Sequence, residues 1–298
     1  MFARAAVMLA ALAPLALTAC AVVEQHKPAD PSLPTAAAFA AAHNARVAGL
    51  SRLWSRTTVR IAGTDADGQR VDEQVDGRLF VELPANLHMR ISKLGEPYFL
   101  LGSNAAQFWW FDLSKDDRPA SIGSHANATR AQVQRFGLPV HPLDLVELLA
   151  VSPITPQALA DPAAVTRRVS EREAELDLPA RWGRLRLRFN TDSLLPVAVT
   201  LVDEKGRTAV RSELQEFDPL PVLVGDGNGP KIEHRAILHL APDPDAPPGP
   251  KLVITLDLEF EAKRINPDLF DLDVQKAQQN VRTIRSLDPA PPAGGKAP

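Results

Sequence analysis

Cysteine is almost absent from this sequence, since a single thiol, Cys20, occurs among 298 residues. A disulfide within the chain needs two thiols, so internal cross-linking is excluded and stability must come from buried apolar surface. The composition permits such a core, because 45% of the residues are hydrophobic and 23% are charged. These proportions are typical of a folded protein rather than a disordered one.

The signatures of nucleic-acid binding and of catalysis are also missing. No basic stripe with interleaved aromatic residues occurs, and the formal net charge is -3. No Gly-x-Ser-x-Gly motif marks a nucleophile. His234 and His239 are five positions apart on a predicted strand and so face opposite sides, which does not suit a shared metal ion. The sequence predicts neither an enzyme, nor a cofactor, nor a metal site, nor a nucleic-acid partner.

The amino terminus has the pattern of a secretory signal. Arg4 precedes an apolar run over residues 5–17, and two small residues precede Cys20. The run is shorter than the roughly 20 residues that a membrane span needs. Residues 17–20, LTAC, resemble the lipobox of bacterial lipoproteins, which implies cleavage before Cys20 and lipidation of its thiol. The alternative is an ordinary buried cysteine at the end of an apolar helix; the position and uniqueness of Cys20 favour the anchor.

The sequence divides into four segments. Residues 1–19 are the predicted signal peptide. Residues 20–34 are a lipidated amino terminus and tether with no apolar period and three prolines. Residues 35–287 are the predicted domain, and residues 288–298 are a predicted disordered tail of low apolar content. Two or three acyl chains on Cys20 would hold the mature protein stably on a membrane.

Apolar and polar residues alternate through most of the predicted domain. In residues 184–189, RLRLRF, three arginines alternate with Leu185, Leu187 and Phe189. A slip of one residue would bury three guanidinium groups, so the register of this strand is strongly specified. We count about ten such strands in antiparallel succession, separated by short turn sequences.

Helical patterns interrupt the strands at three places. The first helix is capped by Thr35 and extends as far as Leu53. A helix or helix pair is predicted over residues 128–151, with leucines at helical spacing. A final helix would present Val274, Ala277, Val281 and Ile284 on one face. The predicted fold is mainly β (α+β): an antiparallel, half-open β-barrel with a helical lid.

Aromatic residues are scarce, at 5% of the chain, but many of them lie in residues 97–113, PYFLLGSNAAQFWWFDL. Adjacent strand residues point to opposite faces, so Trp109 and Trp110 cannot both face one core. This concentration is consistent with a ligand cavity, and equally with a filled core that has an aromatic residue on each face.

Two motifs resemble the lipoprotein carriers and outer-membrane lipoprotein receptors of the LolA and LolB type. One is a hairpin in residues 190–217, with a Leu-Pro pair followed by Asp-x-x-Gly. The other is an Asn-Pro-x-x-Phe sequence near the end of the domain. The matching residues are Leu195, Pro196, Asp203, Gly206, Asn266, Pro267 and Phe270. The resemblance spans most of residues 35–272, and its motifs are turn chemistry, which bears on fold more than on activity.

The resemblance implies a hydrophobic cavity, between sheet and lid, that accepts the acyl chains of a lipid or lipoprotein. The expected cavity and lid residues are Met89, Phe99, Leu101, Phe108, Trp110, Leu145, Leu148, Leu149, Leu187, Phe189, Leu256 and Phe260. The alternative is a lipid-anchored structural or interaction protein of the envelope, with its core filled by its own side chains and an envelope protein as partner.

The chain departs from the soluble carriers in carrying its own anchor, which favours a receptor or a stationary lipid-binding protein. In the lipoproteins that this sequence resembles, an acidic residue directly after the lipidated cysteine favours retention at the inner membrane. Here that residue is Ala21, so we expect an outer-membrane lipoprotein that faces the periplasm. Such a receptor would use a protruding apolar loop, for which residues 222–225, VLVG, are a candidate. No residue is identified as equivalent to the carrier's lid-locking arginine.

Overall fold

The computed structural model describes residues 33–64, 69–135, 140–221, 229–240 and 251–288. The predicted signal peptide, Cys20, residues 222–225 and nearly all of the predicted tail lie outside the described residues. Within those ranges, no helix is both long and apolar enough to cross a membrane.

The first helix, α1, spans Ala36–Arg46. Thr35 is its N-cap, and the Thr35 side chain accepts a hydrogen bond from the backbone N–H of Ala38 at 3.2 Å. The sequence predicted a longer helix, reaching Leu53, and this extent is wrong. Gly49 adopts a left-handed conformation (φ +76°), which ends the helical path, and Leu53 lies in the first strand instead.

The strands form two groups on either side of three short helices. The first group is β1 Arg52–Thr64, β2 Arg70–Glu82, β3 Asn86–Lys93, β4 Glu96–Ser103, β5 Gln107–Asp112 and β6 Pro119–Ser124. The helices are α2 Arg130–Arg135, α3 Pro142–Leu148 and α4 Pro156–Leu159. The second group is β7 Val165–Arg168, β8 Glu173–Ala180, β9 Gly183–Asn190, β10 Pro196–Val202, β11 Thr208–Pro219, β12 Lys231–Leu240 and β13 Lys251–Phe260. The helical insert thus interrupts the strands where the leucine spacing predicted it.

The chain ends with a short 3₁₀ helix over Pro267–Phe270, helix α5 over Leu272–Gln278, and strand β14 over Thr283–Ser286. The prediction of one helix carrying both Val274 and Ile284 on a face is wrong. Asn280 is left-handed (φ 52°) just after α5, which stops the helix. Ile284 lies in β14, where it pairs with Ala120 of β6.

All fourteen described strands belong to one sheet, in the order β14-β6-β5-β4-β3-β2-β1-β13-β12-β11-β10-β9-β8-β7. Every neighbouring pair is antiparallel except β14 with β6. The prediction of about ten strands was too low, partly because β7 and β14, at four residues each, are too short to show alternation. The sheet does not close on itself, since β7 and β14 remain at its edges, and the predicted half-open barrel is confirmed.

The arginine-rich strand β9 has the register that its alternation predicted. Leu185, Leu187 and Phe189 are buried on the concave face. On the other face, Arg184 and Arg186 donate to the two carboxylate oxygens of Asp177 on the neighbouring strand β8, at 2.6 and 3.1 Å. The ion pairs therefore fix the same register as the apolar residues.

Two apolar clusters lie on opposite faces of the sheet. The main core occupies the concave face beneath α1 and α3 and contains Trp110. A smaller cluster on the other face contains Trp109 and is covered by Leu272 of α5. The two tryptophans therefore point to opposite faces, as strand geometry requires, and each faces a packed cluster.

Candidate ligand-binding cavity

Polar side chains of α1 contact the segment after α3 and join the two parts of the lid. Asn44 makes two hydrogen bonds with the backbone of Ile154, donating at 2.8 Å and accepting at 2.7 Å. The His43 Nε2 atom donates to the carbonyl of Ser152 at 2.9 Å, and Arg46 donates to the carbonyl of Ala150. These bonds tie α1 to residues 150–154, so the two parts of the lid form one layer over the sheet.

A cavity of about 580 Å³ lies between this lid and the strands β8, β9 and β10. Its apolar walls come from the lid residues Leu143 and Ile154 and from the strand residues Leu178, Leu187 and Leu201. This volume falls within the roughly 300–1,000 Å³ of most ligand-binding cavities in proteins. The cavity has space for a flexible apolar ligand.

The twelve residues expected at the cavity and lid lie together, but mostly not at the cavity wall. Ten are buried in the main core, and Phe99 and Phe260 are partly buried against it. Only Leu187 also lines the cavity. The reason is visible at α1, where the ring of Phe39 stacks on that of Phe189 with centroids 5.0 Å apart. Side chains of the lid thus fill the centre of the concave face, and the open volume lies toward β8.

Two carboxyl groups of α3, Asp144 and Glu147, face the cavity, and sequence reasoning did not identify either of them. Asp144 is only 8% exposed, and the described residues give it neither a hydrogen bond nor an ion pair. Burial raises the pKa of Asp144 to about 6, although Arg130 and Arg181 act in the opposite direction. Burial also raises the pKa of Glu147 to about 7; a hydrogen bond with Ser152 opposes this rise, and the nearby Asp144 carboxylate adds to it. Glu147 keeps some accessible surface because it lines the cavity.

A chain of hydrogen bonds beside α3 fixes the tautomers of two histidines. His141 is the N-cap of α3, and its Nδ1 atom accepts a backbone N–H at 3.1 Å, so its proton is on Nε2. The His141 Nε2–H donates to Nδ1 of His125, 3.3 Å away, so the proton of His125 is on Nε2. The His125 Nε2–H in turn donates to the carbonyl of Asn104 at 2.7 Å. Although Ser103 Oγ lies 3.3 Å from the same nitrogen, His125 has no free lone pair there to accept its proton. The serine and histidine therefore do not form a nucleophile–base pair.

No group of three His, Cys, Asp or Glu side chains suited to a metal ion occurs in the described ranges. His234 and His239 both lie on β12, five positions apart.

A fully buried acid, Glu233, lies beneath the end of α1. It is 0% exposed, and neither of its carboxylate oxygens has a hydrogen-bond partner among the described residues. Its nearest cation is the Arg46 guanidinium, with 4.0 Å between Nη1 and Oε2. Burial raises the pKa of Glu233 to about 8. Arg46 at the end of α1 therefore contacts both residue 150, in the other part of the lid, and an acidic residue in the wall of the barrel.

A solved structure defines the fold. The chain is similar to the crystal structure of a LolA superfamily protein from Nitrosomonas europaea, with a TM-score of 0.52 and 16% sequence identity. The match covers 80% of this chain and 99% of the other. The fold is LolA-like. This confirms the resemblance that the hairpin and Asn-Pro-x-x-Phe motifs predicted, and at this identity the likeness defines the fold alone.

Two further solved structures resemble this LolA-like fold more distantly. A putative outer membrane lipoprotein-sorting protein domain from Vibrio parahaemolyticus has 11% identity over 80% of this chain and 97% of its own, with a TM-score of 0.49. A DUF1329 family protein from Desulfovibrio piger has 10% identity over 80% and 98%, also with a TM-score of 0.49. Neither a protein-family model nor a curated protein sequence matches the chain.

Proposed function

We propose that this protein is a membrane-anchored envelope lipoprotein, without enzymatic activity, that binds or transfers acylated molecules, either lipids or lipoproteins. The observation that carries the proposal is a cavity of about 580 Å³ beneath a helical lid, with leucine and isoleucine side chains in its wall. The anchor would be the lipidated Cys20, the tether residues 20–34, and the location the periplasmic face of the outer membrane.

Burial of a hydrocarbon chain is sufficient to give useful affinity. Each buried CH₂ group contributes about 0.8 kcal/mol, so ten such groups contribute roughly 8 kcal/mol, which corresponds to a dissociation constant in the micromolar range. Few polar contacts are then needed. A receptor of this kind can therefore hold cargo tightly enough to retain it and weakly enough to release it.

The tip of the β3–β4 hairpin supports transfer to a membrane. Leu94 at this tip is 99% exposed, and Leu94 and Gly95 both have positive φ angles of 54° and 87°. A two-residue turn with this geometry favours Asn or Gly, so leucine is unfavourable there both for its conformation and for its exposure. Nearby Tyr98 is 44% exposed, and Lys93 Nζ lies 6.0 Å from the centre of its ring. An apolar tip beside an aromatic ring and a lysine suits insertion into a lipid interface.

The protruding loop predicted at residues 222–225 lies outside the described residues and stays a prediction. Among the described residues, the exposure of Leu94 makes it our candidate for membrane contact. Replacing it by Asn, which suits the turn, should preserve the fold. We expect Leu94→Asn to weaken co-sedimentation of the unlipidated protein with phospholipid vesicles. Ile284→Asn, which removes an apolar residue that is 59% exposed at the β14 edge, is the matched control. Equal sedimentation of all three proteins would contradict this role for the hairpin.

The second candidate function is that of an interaction protein with a filled core. It is favoured by the positions of the twelve expected cavity and lid residues. Eleven of them do not line the cavity, and ten of the twelve, including Leu187, which does line it, are packed in the main core.

Filling the cavity distinguishes the two functions. Ala158 lies in α4 and Ala160 is the C-cap of the same helix, but only Ala158 lines the cavity, whereas Ala160 is exposed. We expect native mass spectrometry of the unlipidated protein to show bound lipid or acylated peptide, which Ala158→Phe reduces and Ala160→Phe leaves unchanged. An unliganded mass at high concentrations of added acylated peptide would instead favour the interaction protein.

A further inference from the structure

The cavity is not uniformly apolar, and its acidic part lies at one place on the lid. Asp144 and Glu147 are three positions apart on α3, so both project from the same side of the helix into the cavity. Asp144 also borders a second, water-sized cavity of about 10 Å³, which it shares with Arg130 and His141. An acyl chain alone gives no reason for two carboxyl groups at this position.

The two arginines that act on Asp144 each donate one hydrogen bond to a backbone carbonyl elsewhere. Arg130 donates through Nη2 to the carbonyl of Trp182 at 3.3 Å and lies over its ring, 5.9 Å from the centroid, while its buried Nη1 has no hydrogen-bond partner among the described residues. Arg181 also lines the cavity, but it donates to the carbonyl of His125 at 3.2 Å and is exposed, so water weakens its field. Neither arginine comes within 4.0 Å of Asp144 as an ion pair among the described residues.

The nearby imidazoles do not supply a positive charge at neutral pH. Burial lowers the pKa of His43, on α1, to about 4 and that of His141 to about 2, so both rings are neutral. Asp144 is thus a buried carboxyl group, nine-tenths inaccessible, that faces the cavity and has no hydrogen bond or close ion pair among the described residues, although Arg130 and Arg181 act on it from farther away. Burying such a group without a partner costs free energy, which a cation in the cavity would recover.

Building on the proposed function, we infer that the α3 end of the cavity binds a positively charged amine carried by the acylated ligand. Asp144 is the main contact and Glu147 the second. The ligand class is an amphiphile with an alkyl or acyl chain next to a protonated amine; an anionic amphiphile would instead place its charge beside two carboxyl groups. The amine could belong to a lipid head group or to an acylated peptide.

The test compares ligands that differ only in their polar end. Isothermal titration calorimetry on the mature chain carrying Cys20→Ser, at pH 8, would measure the dissociation constants of decylamine, decanol and decanoate. Because charge-assisted hydrogen bonds are among the strongest polar contacts, we expect decylamine to bind about tenfold more tightly than decanol. Decanoate should bind most weakly.

Variants assign the preference to the named residues. Asp144→Asn should bring the decylamine-to-decanol ratio close to one while the decanol constant stays unchanged. Glu147→Gln should reduce the ratio by a smaller factor and serves as a second variant if the first does not fold. Glu204→Gln, at the exposed turn between β10 and β11, is the charge-matched control and should leave the ratio unchanged.

The outcomes separate this inference from the proposed function. Binding of decanol without a preference for decylamine, or a preference that survives both cavity variants, would overturn the amine site alone. Failure of all three ligands to bind would overturn the proposed function with it. A last comparison of dissociation constants distinguishes the sources of the amine. For a lipid head group, phosphatidylethanolamine is compared with diacylglycerol. For a peptide, an acylated peptide that has a lysine beside the acylated residue is compared with one that lacks it.

Discussion

Replacing Asp144 by asparagine should stabilise the free protein at alkaline pH. The variant removes a carboxylate that is 92% buried, as its exposed fraction of 8% implies, and that has no partner among the described residues. The asparagine amide has nearly the same shape, so packing around α3 should be retained. The expected gain follows from the difference between the folded and unfolded pKa values of Asp144.

The sign and size of this gain follow from linkage. The pKa of Asp144 is raised by burial from 3.8 in the unfolded chain to about 6 in the folded protein. The folded state therefore holds the proton more tightly, and stability is lost as the pH rises from about 4 through 6. At about 1.4 kcal/mol per pKa unit, the ionised carboxylate costs about 3 kcal/mol at pH 8 and nearly nothing at pH 4.

Urea unfolding followed by tryptophan fluorescence would measure this difference. We expect Asp144→Asn to exceed the wild type by about 3 kcal/mol at pH 8, with the gap closing toward pH 4. Taking the difference between the two proteins cancels the contributions of histidines that titrate in both. Glu204→Gln should show no such gap. An Asp144→Asn variant that is no more stable than the wild type at pH 8 would refute the reasoning, because Asp144 would then have a partner in the folded state.

Three further predictions concern packing, the lid and its N-cap. A Cβ atom on Gly102 would lie 2.2 Å from the buried ring of Trp109, so Gly102→Ala should lower the free energy of unfolding by about 1–3 kcal/mol, and an unchanged melting temperature would contradict this packing. Asn44→Ala removes both bonds to Ile154 and should speed hydrogen exchange at that backbone N–H; unaltered exchange would show that other contacts hold the lid. Burial and the nearby Arg181 lower the pKa of His141 from 6.5 to about 2. As the pH falls from 6.5 to 5, the free energy of unfolding of the wild type should therefore decrease by about 2 kcal/mol relative to that of His141→Asn. Parallel curves of stability against pH for the two proteins would contradict this prediction.

The strands and the lid were largely predictable because their signals are local. The alternation in β9 fixed which face is buried, since any other register would bury arginines. The leucine spacing and bounding prolines gave α3 in the same way. The ends of elements were less predictable: α1 and α5 both stop at left-handed residues, Gly49 and Asn280, whose conformations are clear only from the backbone.

The position of the cavity was not predictable from the sequence. The expected lining residues are large and apolar, and such residues pack against one another, as Phe39 does on Phe189. The open volume instead depends on the path of residues 150–155 relative to β8, which is a relation between distant segments. Asp144 and Glu147 have the spacing of a solvated helix face, and only the tertiary structure shows that this face lies over a cavity.

The strand order has a consequence for how the protein assembles. Strands β1 to β6 and strands β7 to β13 each form a meander, in which every strand pairs with its neighbour in sequence. The two meanders join at a single seam between β1 and β13, where Arg60 meets Thr255 from the other end of the domain. Local hairpins form quickly, whereas contacts of such large sequence separation form slowly. The barrel wall is thus completed only when β13 docks, after nearly all of the domain has been synthesised.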